Sequence, residues 1–368
     1  MIEIMDDVCP IRRVDHIEFY VGNARQAALF YSACFGFTTV AYRGLETGCR
    51  DTASYVMKQG DITFVLTSAL EPDHPIARHV QRHGDGVGLI ALEVPDVEAA
   101  FRDTTRRGAR AAAVPNESHD PLGSLQEAAI HLYGDTLLKF VERADYRGTF
   151  APGYEPTPAP LRSESAGLLT IDHIVGNVEL GAMDKWVRFF AETMGFTQLV
   201  HFDDKTITTE YSALMSKVMQ DGTGRVKFPI NEPAAGRRKS QIEEYLEYYH
   251  GPRVQHIALA TSDIVQTVRC LRARGLEFLQ VPSTYYEDLE RRVGAIKEPI
   301  GTLSELGILV DRDDEGYLLQ IFTQPVEDRP TLFFEVIERH GSRGFGEGNF
   351  KSLFEAIERE QARRGNLV

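Results

Sequence analysis

Stretches in which apolar and polar residues alternate recur along this chain, each followed by apolar residues at helical spacing. Val14 to Val21 alternates as a half-buried strand does, and Ala24 to Cys34 then carries its apolar residues three and four apart. Further alternating segments follow, so the unit predicts strand, helix and three strands, a βαβββ order. The pattern is then written again. Val14-Asp15-His16-Ile17, Val21-Gly22-Asn23 and Phe35-Gly36-Phe37 return as Ile171-Asp172-His173-Ile174, Val175-Gly176-Asn177 and Met194-Gly195-Phe196. A second pair of segments, Val87 to Leu92 and Val254 to Leu259, each leads into a helix closing on Arg107-Gly108 or Arg274-Gly275. A third pair places Leu137 to Arg143 over Phe333 to Arg339. Repetition at this scale means duplicated structural units rather than one long core.

The expected fold is therefore α+β: two tandem open β-barrel domains built from repeated βαβββ modules, with a helix at the C-terminus. Residues 1–150 form the first domain and 169–368 the second. Between them, 151–168 read as a linker, because Pro152, Pro156, Pro158 and Pro160 forbid a helix or a central strand. Beyond Arg339 no counterpart to the first copy is expected. Gly341, Gly344, Gly346 and Gly348 precede a helical pattern in which Phe350, Leu353, Phe354 and Ile357 share a face. A domain cap and a lid over a site are both consistent with it.

Composition narrows the partners more than the fold. A chain of 368 residues, 43% hydrophobic, has enough apolar residues for two cores. With 40 basic and 54 acidic residues its net charge is −14, which argues against nucleic acid or an anionic membrane as the main partner. The first residues lack the apolar stretch of a signal peptide, and no run reaches membrane-spanning length, so a cytoplasmic protein is expected. Cys9, Cys34, Cys49 and Cys270 form no CxxC pair, which fits a reducing compartment and offers no zinc framework.

The two copies differ where chemistry is concerned. At three matched points the first offers His16, Leu89 and Lys139, while the second offers His173, His256 and Glu335. Two imidazoles and a carboxylate on one face of an octahedral ferrous ion leave adjacent positions open for a chelating substrate and dioxygen. The residues lie too far apart along the chain for a helical HxxxH pair or a zinc finger, so the fold must assemble them across strands. A single histidine in an apolar strand is more often a hydrogen-bonded core residue, and His16 is read that way. Three such residues at equivalent points of a repeat, two of them replaced in the sister copy, point to a metal site.

Several longer stretches carry a family resemblance: Glu210-Tyr211-Ser212-Ala213-Leu214, Phe228-Pro229-Ile230-Asn231-Glu232-Pro233, Lys239-Ser240-Gln241-Ile242, Gly307 to Asp313, Leu319 to Thr323 and Gly344 to Phe350. With them, essentially the whole chain resembles the 4-hydroxyphenylpyruvate dioxygenase family of the vicinal oxygen chelate superfamily. The resemblance implies Fe(II) at His173, His256 and Glu335, in the second barrel only. It further implies Ser212, Asn231 and Gln241 around the phenol end of the substrate, and Gln255 and Gln320 near the iron. Phe322 and Phe333 would line the pocket, and Phe345, Asn349 and Phe350 would belong to the closing C-terminal segment. The implied reaction takes 4-hydroxyphenylpyruvate and O2 to homogentisate and CO2 by oxidative decarboxylation, ring hydroxylation and side-chain migration. Hydroxymandelate synthase, which oxidises the benzylic carbon of the same substrate, is the alternative, and a non-catalytic ligand-sequestering protein of the same fold is the third. A homo-oligomer, dimer or tetramer, is expected.

Overall fold

In each βαβββ module the helix ends at a backbone cap just before the strand pattern resumes. The structure, a computed structural model, describes residues 8–157, 161, 163–202, 213–234 and 239–365. The first module runs β1 (Arg13–Tyr20), α1 (Ala24–Phe35), β2 (Thr38–Arg43), β3 (Thr52–Gln59) and β4 (Ile62–Ala69). Asn23 caps α1 by accepting from the backbone N–H of Gln26, and Gly36, at φ 83°, ends it in a left-handed turn that a side chain would strain. After α2 (Pro75–His83) the second module follows as β5 (Gly86–Glu93), α3 (Val97–Arg106), β6 (Ala111–Asp120), β7 (Gly123–His131) and β8 (Leu137–Glu142).

The third comprises β10 (Leu168–Asn177), α4 (Met183–Met194), β11 (Thr197–Phe202), β12 (Ala213–Gln220) and β13 (Lys227–Ala234). Between the halves, β9 (Glu155–Pro156) pairs with β2, so Pro156 docks at the margin of the sheet, where a missing N–H does no harm. The fourth module, after α5 (Gln241–Tyr249), has β14 (Arg253–Thr261) and α6 (Ile264–Ala273). Three short helices follow, α7 (Thr284–Glu287), α8 (Leu289–Val293) and α9 (Ile300–Leu306). It closes with β15 (Leu309–Arg312), β16 (Tyr317–Phe322) and β17 (Phe333–His340), and α10 (Phe350–Arg363) ends the fold.

The strands form two curled, open sheets of one design. The first is ordered β6-β7-β8-β5-β1-β4-β3-β2-β9, the second β11-β12-β13-β10-β14-β17-β16-β15. In each, the strand opening the half (β1 or β10) lies antiparallel beside its counterpart from the next module (β5 or β14), and that strand lies parallel to the last (β8 or β17). Three neighbouring strands at the centre of each sheet therefore carry the three matched positions.

The halves share apolar packing rather than standing apart. Phe334 of β17 lies against Phe35 (ring centroids 4.9 Å), Tyr31 and Phe64 (6.0 Å each) of the first half. Gln59 ties the sheets together by accepting from the N–H of Ala166 and donating to the carbonyl of Phe35, both at 2.8 Å. No helix among the described residues is long and apolar enough to cross a membrane.

One carboxyl beside this junction is out of balance. Burial pushes Glu327 up to about 8 from 4.5, and the nearby Asp85 and Asp328 add to the effect. Its neutral form is thus favoured in the fold, so the stability this one group contributes is complete below pH 4.5 and is lost as pH rises toward about 8. The Glu327→Gln variant, which cannot ionise, should melt with the parent near pH 4.5 and above it by about 2 °C or more at pH 8. Thermal melts across that range check this, and parallel curves would contradict it.

Candidate metal centre

His173, His256 and Glu335 are brought together by strand register. His256 pairs with Val175 on β10, while Glu335 lies opposite Ala258 on β14 and Phe322 on β16. All three are buried, at 4%, 8% and 2% exposure, and their ligand atoms fall within 4.8 Å of one another. Oε2 of Glu335 lies 3.2 Å from Nε2 of His173 and 3.5 Å from Nε2 of His256. Its Oε1 is buried without a partner among the described residues. A buried carboxylate with an unmatched oxygen, facing two imidazole nitrogens, is an expensive arrangement unless a cation completes it. The donor set, two nitrogens and a carboxylate with no thiolate, suits a divalent first-row ion.

What aims these side chains is a slip in the ladder. Between β10 and β14 the register shifts at Asp172, between Ile171 and His173, and again at Gln255 opposite the Val175–Gly176 step. Such one-residue bulges re-aim side chains that strict alternation would send to opposite faces. Hence Asp172 Oδ1 meets Nδ1 of His173 at 2.8 Å, and Gln255 Oε1 meets Nδ1 of His256 at 3.0 Å. Both Nδ1 atoms are thereby assigned as donors, which turns both Nε2 atoms toward Glu335. Arg339 holds Asp172 through two hydrogen bonds, at 2.7 and 2.8 Å.

The electrostatics follow from this packing. Burial alone would raise Asp172, but Arg339 and His173 outweigh it and hold the carboxyl far below the usual range. Glu335 is likewise raised by burial yet lowered overall by His173 and His256. The imidazoles diverge: burial opposes the charge on both, but Glu335 and Asp172 lift His173 overall, whereas His256 ends below its ordinary value.

Around the trio the residues expected from sequence are distributed unevenly. Phe333 stacks on His256 (centroids 4.7 Å, interplanar 19°), and Phe322 meets the same ring edge-on at 6.0 Å. Phe345 stands edge-on to His173 at 5.1 Å and packs with Ile242, Val218 and Phe350. Gln241, the first residue of α5, lines a small cavity with Gln255 and Phe333. Asn231 is buried and donates to Asn177 Oδ1 at 3.4 Å. Gln320 is 1% exposed, with both amide atoms unpartnered among the described residues. Asn349 accepts from Tyr285 at 2.6 Å, so one end of its amide serves the α7 connection. Ser212 lies outside the described residues.

Gly346 explains how the C-terminal segment comes so close. At φ 76° it adopts a left-handed backbone, and a Cβ there would run into the amide of Gln320. Gly346→Ala should therefore destabilise the fold by about 1–3 kcal/mol, read as a lowered melting temperature. An unchanged melt would show that the segment can swing away without cost.

Asp172 and Arg339 were not assigned roles from sequence, although the signal was present. The Asp-His pair and the closing Arg recur in both copies, and the first half uses them identically: Asp15 meets His16 at 2.5 Å and Arg143 at 2.5 and 2.8 Å. The correspondence also outlasts the expected limit at Arg339. Phe150 stands edge-on to His16 at 5.1 Å, as Phe345 does to His173, so the repeat extends through Phe345.

Comparison with known proteins agrees with this architecture. The family model of the Glyoxalase/Bleomycin resistance protein/Dioxygenase superfamily matches residues 13–120 and 170–321. The chain is 46% identical to a 4-hydroxyphenylpyruvate dioxygenase of Yarrowia lipolytica, over 99% of this chain and 96% of that one. It is 49% identical to the Danio rerio protein of the same name, over 96% and 91%. Among solved structures it resembles a mutant 4-hydroxymandelate synthase from Streptomyces coelicolor, with TM-score 0.86 and 34% identity over 96% of this chain and 99% of that one. On the strength of near-full-length identity and a duplicated fold of the same kind, this chain belongs to the 4-hydroxyphenylpyruvate dioxygenase family within that superfamily.

Proposed function

We propose that the chain converts 4-hydroxyphenylpyruvate and O2 to homogentisate and CO2, with His173, His256 and Glu335 as ligands of Fe(II). The observation that carries this is the convergence of the three side chains on one point, in a chain nearly half identical to enzymes of that name. When bound, ferrous iron would supply a Lewis-acidic, redox-active centre with positions open to an α-keto acid and dioxygen. The chain's own part is positional. Asp172 and Gln255 keep the imidazole Nδ1 atoms protonated, so that Nε2 is free to ligate.

Phe333 and Phe322 wall the His256 side with apolar rings, which exclude water and hold an aromatic ring in one plane. Phe345 closes the His173 side, and Phe350 supports it at the head of α10. Asn231, Gln241 and Ser212 are assigned to the phenol end, and Gln320 to the polar rim near the metal. The same reading places the protein in the cytoplasm, as a dimer or tetramer.

A 4-hydroxymandelate synthase is the competing outcome, favoured by the 34% identical structural relative. Homogentisate and 4-hydroxymandelate are isomers, so mass alone does not separate them. Iron-loaded protein given 4-hydroxyphenylpyruvate under oxygen should yield homogentisate, identified by proton NMR after chromatography. Benzylic product, or none with iron bound, would overturn the assignment.

A further inference from the structure

The first sheet carries Leu89 and Lys139 where the second has His256 and Glu335, yet the space beside them stays open. A cavity of about 470 Å3 lies at the place that corresponds to the metal trio. Its wall is formed by His16 and Glu18 of β1, Ser54 of β3, Thr67 of β4, Glu127 of β7 and Lys139 of β8, among others. Alternate positions on one strand, such as 16 and 18, share a face, so this is the concave interior of the sheet. An interior that had merely lost a function would be expected to refill with apolar side chains, since unoccupied polar space costs free energy. Here the Asp15–His16–Arg143 frame and the Phe150 ring over it are kept in the geometry of the other half.

The cavity does not suit a metal ion. Among the described residues His16 belongs to no group of three whose ligand atoms converge. Where the other half has Glu335, this one inserts the ammonium of Lys139, 2.9 Å from Glu127. That pair and Arg143 with Asp15 are internally neutral. Asp51, also on the wall, accepts from the Cys49 thiol at 3.0 Å and stands 4.0 Å from His74, whereas Glu18 and Arg43 have no counter-ion at ion-pair distance among the described residues. Glu18 accepts from the Thr67 hydroxyl, at 2.6 Å, and Arg43 reaches in from β2, 6.0 Å from the Tyr154 ring. An anionic ligand would leave Glu18 unanswered and a cationic one would leave Arg43 so. A zwitterion answers both. Phe150 and Tyr154, edge to face at 4.9 Å, add an aromatic surface with Val65 and Ile76 nearby.

We infer that this cavity binds a free α-amino acid with an aromatic side chain, its carboxylate toward Arg43 and its ammonium toward Glu18. The volume lies within the range that small-molecule sites occupy. This site is separate from the metal trio and does not depend on the reaction assigned there.

L-phenylalanine is the probe, titrated calorimetrically into metal-loaded wild-type protein. Saturable binding with a dissociation constant of about 1 mM or tighter is expected. Phenethylamine and 3-phenylpropionate, each lacking one of the two charges, should bind at least about tenfold more weakly. Glu18→Gln and Arg43→Gln should each weaken L-phenylalanine by a similar factor, and Glu335→Gln should leave it unchanged. Arg43 is exposed, so its variant is informative even where Glu18→Gln folds poorly. No saturation in the wild type, equal binding of either single-charge analogue, indifference to Arg43→Gln, or loss with Glu335→Gln each overturns the inference.

Discussion

Glu335→Ala should leave a folded protein that neither retains metal nor turns over substrate. The carboxylate is the only anion among the three candidate ligands, and both imidazole Nε2 atoms face its Oε2. Removing it takes away several kcal/mol of metal and transition-state stabilisation, about a thousandfold or more in rate. The fold should tolerate the loss, because the substitution removes a buried charge whose Oε1 has no protein partner among the described residues, which offsets the cavity left behind. Metal content by plasma emission spectroscopy and product formation under oxygen measure the two effects together. Retained, iron-dependent turnover would remove Glu335 from the ligand set.

The second large effect separates structure from chemistry by using the duplication itself. Arg339→Met strands the Asp172 carboxylate, and Arg143→Met strands Asp15, at matched points of the two sheets. Each substitution leaves a buried charge without its cation and should cost about 3 kcal/mol of stability. The consequences for metal diverge. Through Asp172, Arg339 fixes the ring of a candidate ligand, so its loss should weaken metal binding by about 10- to 100-fold. Arg143 holds Asp15 against His16, which is no candidate ligand, and packs on Phe150, so its loss should leave metal affinity unchanged. Chemical denaturation gives the stabilities and competition with a chelator gives the affinities. Equal loss of metal in both variants would mean that global loosening, not the orientation of His173, sets affinity.

Much of this was legible because duplication turns one sequence into its own comparison. The βαβββ order, the central strands and the three matched positions all follow from alternation and repetition. What alternation could not show is where it breaks. The rule that successive residues face opposite sides fails at Asp15, Asp172 and Gln255, where the register slips by one. Those positions supply the hydrogen bonds to three histidines. The helices α7, α8 and α9 also escaped notice, since segments of four, five and seven residues complete too few turns to display a helical period. The match of Phe150 with Phe345 is hidden in the sequence because the seven-residue step from Arg143 differs from the six-residue step from Arg339. The role given to Ser212 rests on resemblance alone.

The Phe334 ring, wedged among Tyr31, Phe35 and Phe64, bears on why a sheet without metal ligands persists at all. Neither sibling could be shed by deletion or traded for an unrelated module, because the survivor would display an oily aromatic scar where its twin had been. Substitution at the ligand positions leaves that interlock untouched, so the first copy can do without metal and still be indispensable to the fold.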